Sequence, residues 1–175
     1  MNEDVIEDLF NEYGDDVSTY LFYCTRSSDV EDMVQETFLR ALRSWHSFRQ
    51  ESSPKTWLFS IARRVASDFQ RDKVKIARSM WDVKTIASLT DGPEIVAERN
   101  ETVRRVLECV HRMKPAYRDV IVLRFVMDMS ITATSKILGW SESRVKVTQH
   151  RALREVRSAL QPLMGGSIDV PSTKR

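Results

Sequence analysis

The segment from Ser130 to Leu160 constrains the fold most, because it contains two helix signatures separated by a glycine. Ser130 can cap a first helix through its hydroxyl, and Ser141 can cap a second helix in the same way. Gly139 lies between them, where a helix commonly ends in a left-handed conformation that glycine adopts without steric cost. The pattern predicts two helices joined by a tight turn, which is helix-turn-helix architecture.

The second of these helices is amphipathic and basic. Val145, Ala152 and Val156 form its apolar stripe, and several cations lie on its other faces. In helix-turn-helix proteins the second helix enters the major groove, and its first turns face the base edges. The residues that we expect to contact DNA are Ser141, Ser143, Arg144, Lys146, Val147, Thr148, His150 and Arg151.

These candidates offer different chemistry to DNA. Arg144 and Lys146 can reach guanine edges or phosphates, whereas Val147 can touch only a thymine methyl group or a sugar. His150 leaves two alternatives open, a donor to phosphate or a half-buried packing residue. Gln149 falls on the expected core face of the helix.

The composition restricts the class of protein. Five Gly and five Pro in 175 residues are few for a fold with many β turns, so we expect an all-α chain. No apolar run approaches the ~20 residues of a membrane span, and the first ten residues are acidic, unlike a signal peptide. We therefore expect a cytoplasmic protein. Cys24 and Cys109 are predicted to be free thiols, and the histidine spacing supplies no metal site.

Charge is distributed unevenly along the chain. Residues 1–36 carry a net charge of −10, and the remainder carries +12. An acidic front suits a basic protein partner, and a basic remainder suits a polyanion such as DNA. The two halves of the chain are therefore expected to have different partners.

Hydrophobic periodicity predicts helices through most of the chain. The first runs from Asp4 to about Thr25, the second begins at a Ser28 capping box, and the third runs from Pro54, capped by Ser53, to about Lys75. The expected apolar face of the second helix is Val30, Met33, Val34, Phe38, Leu39, Leu42 and Trp45. In the second half, Lys114-Pro115 ends one helix, and another is expected at residues 116–127.

These elements predict two small helical domains. Residues 79–93 lose periodicity and end in a turn signal, Asp91-Gly92-Pro93, which indicates a linker. The predicted organisation is a first domain at residues 1–78, the linker at residues 79–93, a helix-turn-helix domain at residues 94–162 and a disordered tail at residues 163–175.

Two strings carry a family resemblance. EDMVQETFLRA at residues 31–41 and WLFSIAR at residues 57–63 precede the helix-turn-helix in this order. Together they resemble the extracytoplasmic-function group of bacterial RNA polymerase sigma factors, and the string VKVTQHR resembles envelope-stress members from Gram-positive bacteria. The resemblance implies promoter recognition and strand opening for RNA polymerase, with no catalysis by the chain itself.

The resemblance also implies roles for residues of the first domain. The second helix would dock on the clamp helices of the polymerase's largest subunit through Asp29, Asp32, Gln35, Glu36 and Arg40. The following loop and helix would open the promoter and bind the −10 element. The residues offering suitable stacking, polar and cationic groups are Phe48, Arg49, Gln50, Ser52, Ser53, Lys55, Arg63, Arg64, Arg71 and Lys73. For Trp57 a core position is favoured over a stacking platform.

By the same resemblance the helix-turn-helix would read the −35 element and meet the flap of the second-largest subunit. Promoter DNA, core polymerase and an anti-sigma factor, which could be membrane-bound, are the expected partners. No cofactor or small-molecule ligand is expected. The family pattern is broken by Ala133-Thr134-Ser135, by Trp140 in the turn and by Gln149, which puts the rigidity of the motif in question.

Two other classes of protein are alternatives to a sigma factor. A stand-alone helix-turn-helix regulator would dimerise and bind two half-sites, but the first domain resembles neither a ligand pocket nor a phosphoacceptor module. An enzyme is disfavoured because the sequence contains no P-loop, nucleophile elbow, HExxH motif or Cys/His cluster.

Overall fold

The computed structural model describes residues 2–27, 29–79 and 101–161, and all regular elements in these ranges are helical. The all-α prediction is confirmed. The elements are α1 (Asn2–Thr25), α2 (Val30–Ser44), a 3₁₀ turn (Trp45–Ser47), α3 (Pro54–Ser79), α4 (Glu101–Arg112), α5 (Pro115–Ile121), a π-helical turn (Val122–Val126), α6 (Ile131–Leu138) and α7 (Glu142–Leu160).

The predicted linker, apart from Ser79, and the predicted tail lie outside the described residues. No helix in the described ranges is both long enough and apolar enough to cross a membrane.

Helices α1, α2 and α3 pack against one another and form the first domain. Val17, Leu21 and Leu58 are fully buried at its centre. The rings of Tyr20 and Phe59 lie 5.4 Å apart between α1 and α3. Burial of these large side chains is the main source of stability for a domain of this size.

The starts of α2 and α3 test the predicted caps. Helix α3 begins at Pro54, and the Ser53 hydroxyl accepts a hydrogen bond from the Thr56 amide at 3.2 Å, as predicted. The cap predicted for α2, Ser28, lies outside the described residues, and Asp29, which directly precedes the helix, makes no capping side-chain bond. The amide of Asp29 instead donates to the Ser27 hydroxyl at 3.2 Å.

The predicted apolar face of α2 packs against the core except at one residue. Leu39 was expected in the core, but it is 46% exposed. Thr37 is fully buried in its place, and its hydroxyl donates to the Met33 carbonyl at 2.7 Å. A threonine can enter the core because this bond within the helix satisfies its hydroxyl. The buried stripe therefore includes Thr37 and excludes Leu39.

Helices α4 to α7 form the second domain, in which α7 packs against α4, α5 and α6. The single α-helix predicted at residues 116–127 is wrong. The α-helix ends at Ile121, and a π-helical turn continues to Val126, where the Met127 amide donates to the Val122 carbonyl at 2.9 Å. The wider turn leaves Phe125 and Val126 exposed at its surface.

The helix-turn-helix signals are confirmed. The Ser130 hydroxyl accepts from the Ala133 amide at 3.0 Å, and the Ser141 hydroxyl accepts from the Arg144 amide at 3.3 Å. Gly139 has a φ angle of 66°, the left-handed conformation expected for it. On α7, Val145 and Ala152 are buried and Val156 is partly buried, as the apolar stripe predicted.

The two domains also contact each other, mainly through α3 and α6. The Lys136 ammonium on α6 donates to the Glu51 carbonyl, in the loop before α3, at 2.5 Å. On the other side of the contact, the His111 ring of α4 stacks on Tyr23 of α1, with ring centroids 6.0 Å apart. The loop predicted to engage DNA therefore lies beside the helix-turn-helix.

Candidate nucleic-acid interface

The outward surface of α7 holds the residues predicted to read DNA. Thr148 is half-buried, and the other candidates on this helix and its cap are exposed. The exposed ones are Ser141, Ser143, Arg144, Lys146, Val147, His150 and Arg151. Exposure of His150 excludes the packing alternative for that residue. The structure thus gathers all the predicted side chains of this helix on one accessible side.

A shallow groove runs along this surface. Its volume is about 460 Å³. It is lined by Ala116 and Tyr117 of α5, by Trp140 and by Ser143, Arg144, Val147, Thr148 and Arg151. The Arg144 guanidinium carbon lies 4.0 Å from the centroid of the Trp140 ring. Tyr117 and Trp140 were not predicted as site residues, because only the packing of α5 and the turn against α7 brings them there.

Gln149 and Ser135, which depart from the family pattern, form hydrogen bonds inside this domain. The Gln149 side-chain oxygen accepts a hydrogen bond from Arg124 Nε at 2.9 Å. Arg124 also donates to the Met129 carbonyl, so it links the π-helical turn to α7. Ser135 is buried and donates to the Thr132 carbonyl at 2.8 Å, whereas the buried Thr134 hydroxyl has no hydrogen-bond partner among the residues that the structure describes.

In the first domain, an aromatic cluster supports the loop between α2 and α3. Trp45, Phe48 and Trp57 contact one another with ring centroids 5.0 to 5.3 Å apart. All three are half-buried, and Trp45 and Trp57 pack against the core. A core role for Trp57 was favoured, and its half-buried packing agrees with it. Phe48 is held in this cluster rather than projecting freely.

The loop itself is polar and partly strained. Arg49 and Gln50 are exposed, and Gln50 has a φ angle of 55°, which few residues other than glycine adopt. Ser52 is half-buried, and the Ser53 hydroxyl is used as the cap of α3. A positive φ at a non-glycine residue costs free energy and commonly occurs at functional turns.

Most of the predicted phosphate-binding cations of α3 already have partners. The Lys55 ammonium lies 2.9 Å from an Asp16 carboxylate oxygen. Arg71 pairs with Asp68 at 2.5 Å. Lys73 donates to the Ser27 hydroxyl at 3.2 Å. Arg64 is exposed and has no ion pair among the described residues.

Arg63 differs from its neighbours because it faces the second domain. Its Nε lies 3.5 Å from a carboxylate oxygen of Asp119 on α5. Burial raises the pKa of Asp119, while Arg63 and Arg118 act in the opposite direction. Burial likewise raises the pKa of the Cys24 thiol, which lies 3.8 Å from Asp119. Cys24, Arg63 and Asp119 line a cavity of about 260 Å³ between the domains, and Trp140 is part of the same lining.

The predicted docking face on α2 is partly open and partly paired. Asp32 and Gln35 are exposed. Arg40 bonds to Glu36 at 2.6 Å and to Asp68 of α3 at 2.8 Å. The hydrogen bond from Arg40 holds the pKa of Asp68 below its usual value. Asp29, at the start of α2, accepts from the Ser27 hydroxyl at 3.0 Å.

A groove beside this face continues onto α1. Phe10 on its edge is 51% exposed, and its ring contacts Phe38 edge-on at 5.0 Å. The groove is lined by Phe10, Asn11, Gly14, Asp15, Ser18, Glu31, Val34 and Gln35. Exposed apolar surface rimmed by carboxylates suits a protein partner with basic residues. No local signal in the sequence distinguishes Phe10 from the other apolar residues of α1.

In the described ranges, no three metal-ligating side chains lie close enough together to hold an ion. The predicted site residues lie on three surfaces, which are the outward side of α7, the loop before α3 together with that helix, and the acidic face of α2.

Two family models match the chain, one on each domain. Sigma-70 region 2 matches residues 9–76, and Sigma-70 region 4 matches residues 103–156. The first spans the acidic helices, the loop and α3, and the second spans α4 to α7. Together the two models cover most of the chain and divide it where the two helical domains divide.

Similar curated proteins extend this match over about nine tenths of the chain or more. The ECF RNA polymerase sigma factor SigX of Bacillus subtilis is 36% identical, over 95% of this chain and 89% of the relative. The RNA polymerase sigma factor YlaC of the same organism is 34% identical, over 89% of this chain and 92% of the relative.

A solved structure has a similar fold. It is the sigma factor RpoE of Bartonella quintana, solved in complex with the anti-sigma factor NepR. The TM-score is 0.70 at 18% identity, over 89% of this chain and 98% of the other.

Proposed function

The chain belongs to the extracytoplasmic-function group of RNA polymerase sigma factors and directs RNA polymerase to promoters, and we propose that its two helical domains divide this task. Residues 1–78 bind core polymerase and the −10 element. Residues 94–162 read the −35 element, and the segment between them is a linker. The open, cation-bearing side of α7 is the observation that carries the assignment of the second domain.

Contacts on α7 then divide into two kinds. Arg144 is placed in the first turn, where a recognition helix meets base edges, and it is the candidate reader of guanine. Lys146, His150 and Arg151 are exposed along the next turns and bind phosphates. Val147 is 50% exposed and supplies an apolar contact to a thymine methyl group or a sugar.

The first domain meets DNA through the loop before α3. Arg49 and Gln50 are exposed there and have no fixed partner in the described residues, so they are available to an unpaired base. Arg64 is the exposed cation on α3 that can bind backbone phosphate directly. Strand separation exposes bases that a duplex hides, so this loop gains its ligand only during promoter opening.

Core binding is assigned to the acidic face of α2. Asp32 and Gln35 are exposed beside the groove edged by Phe10, which offers charge and apolar area on one surface. The clamp helices of the polymerase's largest subunit are the proposed partner of this face, and the flap of the second-largest subunit is the proposed partner of the second domain.

We infer no catalytic activity for the chain itself. Its relatives are sigma factors, and in promoter opening the polymerase supplies the chemistry. A stand-alone regulator is not supported by a specific observation, because the family matches fall on both domains.

The proposal also includes an anti-sigma factor that holds the chain inactive. The support is the family resemblance and the similar fold of a sigma factor solved with its anti-sigma factor. Such a partner must cover α2 or α7 to prevent initiation. Absence of binding between the purified chain and the cytosolic part of any membrane protein encoded beside it would contradict a membrane-bound inhibitor.

Run-off transcription tests the main proposal. Core polymerase transcribes fragmented genomic DNA with and without the chain, and the RNA 5′ ends are mapped. We expect new starts that depend on the chain and share two upstream sequence motifs. The variant R144A should change the preference in the upstream motif and not in the downstream one. Duplex binding by the chain alone, without chain-dependent starts, would contradict the proposal.

A further inference from the structure

Trp140 is an unusual residue for the turn of the helix-turn-helix, and its ring contacts a candidate DNA reader. The guanidinium carbon of Arg144 lies 4.0 Å from the ring centroid. Among the cation–aromatic contacts of the described residues this is the shortest, the next being Lys73 over Phe69 at 4.6 Å. A guanidinium stacked on tryptophan at this distance is a favourable cation–π arrangement.

The backbone around Trp140 is held by the end of α6. The Gly139 amide donates to the Lys136 carbonyl at 3.3 Å, and the Trp140 amide donates to the Ser135 carbonyl at 2.9 Å. These are the two bonds of a Schellman motif, which fixes the residue after the glycine. The Trp140 ring is half-buried and packs against the core, so its position is determined before DNA arrives.

The backbone of Arg144 is held by the cap of α7. Its amide donates to the Ser141 hydroxyl at 3.3 Å, which places it in the first turn of the helix. The guanidinium lies over the Trp140 ring and makes no side-chain hydrogen bond or ion pair among the described residues, so its N–H donors remain available. These are the donors that make a bidentate pair with guanine.

The other long cations on this surface are held less firmly. In the described chain, neither Lys146 nor Arg151 contacts a carboxylate or an aromatic ring, and both are exposed. A free side chain loses rotamer freedom when it binds, and a pre-stacked one has already lost it. Discrimination between bases requires a fixed donor geometry, whereas phosphate binding tolerates a mobile one.

We propose that Trp140 is a positioning residue, which holds the Arg144 guanidinium edge-on for one guanine-containing base pair of the promoter. This inference rests on the proposed role of the second domain in reading the −35 element. It makes Arg144 the most discriminating contact on α7, and it gives the tryptophan in the turn a role in sequence preference.

A double-mutant cycle on the holoenzyme tests the proposal. The full chain is reconstituted with core polymerase, and binding is measured by competition among promoters that carry each base at each −35 position. R144A should remove the preference at one position. W140L should weaken that same preference about 3- to 10-fold and leave the others within about twofold. In the R144A background, W140L should have no further effect at that position.

Two further variants separate positioning from support of the turn. W140F keeps a smaller aromatic face and should retain more of the preference than W140L. K146A is the matched control. W140L should weaken the base preference as much in the K146A background as in the wild-type background. Urea unfolding of W140F and W140L measures any loss of folding independently. An equal loss of affinity at every position, or an effect of W140L that persists in R144A, would overturn the proposal.

Failure of this inference is distinguishable from failure of the proposed function. If R144A leaves every base preference unchanged while the chain still produces new transcription starts, the positioning role is wrong and the sigma function stands. If the chain produces no new starts, both are wrong.

Discussion

The two domains hold their candidate DNA-contacting cations differently. In the first domain, Lys55, Arg71 and Lys73 each contact a carboxylate or hydroxyl of their own domain. Arg63 is used in the contact with Asp119 of the second domain. A phosphate that binds any of these residues must displace a partner that the chain already supplies.

The cations of α7 have no such competitors. Lys146 and Arg151 are exposed and have no ion pair among the described residues, and Arg144 contacts a ring rather than a carboxylate. The second domain can therefore bind duplex DNA without breaking internal ion pairs. Lys55, Arg71 and Lys73 of the first domain exchange one contact for another when they bind phosphate, which reduces the net gain, whereas the exposed Arg64 does not.

Charge reversal on the docking face of α2 tests this comparison most strongly, because that face belongs to the first domain alone. The double variant D32K/E36K should lower the affinity for core polymerase by about 100-fold or more, since reversed charges face a basic partner. Equilibrium binding to core polymerase measures the effect. Duplex binding through α7 should not change.

E36K also frees Arg40 from its 2.6 Å ion pair, so D32K alone is measured beside the double variant. The matched control is D72K, which reverses an exposed carboxylate near the end of α3. Wild-type affinity for core in D32K/E36K would show that α2 is not the docking helix.

Salt dependence sharpens the difference between free and paired cations. K146A and R151A should each weaken promoter binding by the holoenzyme about 3- to 10-fold and reduce the slope of log affinity against log salt by about 1. R71A should change both quantities less, because Asp68 already neutralises Arg71. Titration of fluorescent promoter DNA at several salt concentrations gives the slopes. Equal slope changes for R71A and K146A would remove the distinction between the domains.

Two glycines give opposite expectations for the same substitution. G139A should lower the free energy of unfolding by about 1 kcal/mol, because alanine is strained at a φ angle of 66°. G14A should raise it by about 0.5–1 kcal/mol, because Gly14 lies inside α1 and an added Cβ would make ordinary contact with Phe10 at 3.8 Å. Urea unfolding of both variants measures the two changes in the free energy of unfolding. Destabilisation by G14A would indicate that α1 needs flexibility at this point.

The last expected effect concerns pH and the contact between the domains. Burial, with help from Arg26 and Arg118, lowers the pKa of His111 to about 4. At pH values between the usual pKa of histidine and about 4, the unfolded chain binds a proton at His111 that the folded chain does not. The free energy of unfolding therefore decreases as pH falls through this range. Because His111 is only half-buried, the loss should be about 1 kcal/mol.

The variant H111F removes the titrating group and keeps an aromatic ring beside Tyr23. The difference in unfolding free energy between pH 7 and pH 5 should therefore be smaller in H111F than in wild type. An unchanged difference would place the pH sensitivity elsewhere in the chain.

Local signals in the sequence determined the helices and the recognition motif. The caps at Ser53, Ser130 and Ser141 and the left-handed Gly139 each depend on residues within a few positions, so they could be predicted without knowledge of packing. The family resemblance likewise rests on short strings in a fixed order. Correct prediction of α7 followed, because its apolar stripe assigns its outward side.

Packing decided what these signals could not. Leu39 is exposed and Thr37 is buried, because α2 presents to α1 and α3 a face that its own periodicity does not define uniquely. The Arg124–Gln149 bond joins residues 25 positions apart, and the Lys136–Glu51 bond joins residues 85 positions apart. Such pairs depend on how whole helices meet, and no local pattern encodes that.

The same division applies to the functional residues. The sequence by itself determined which side chains could meet DNA, because their chemistry and helical positions are local properties. Only the tertiary structure decided which of them are free, which are paired and which, like Arg144 on Trp140, are held in place. The physical reason is that the availability of a charge depends on the neighbours that folding brings to it.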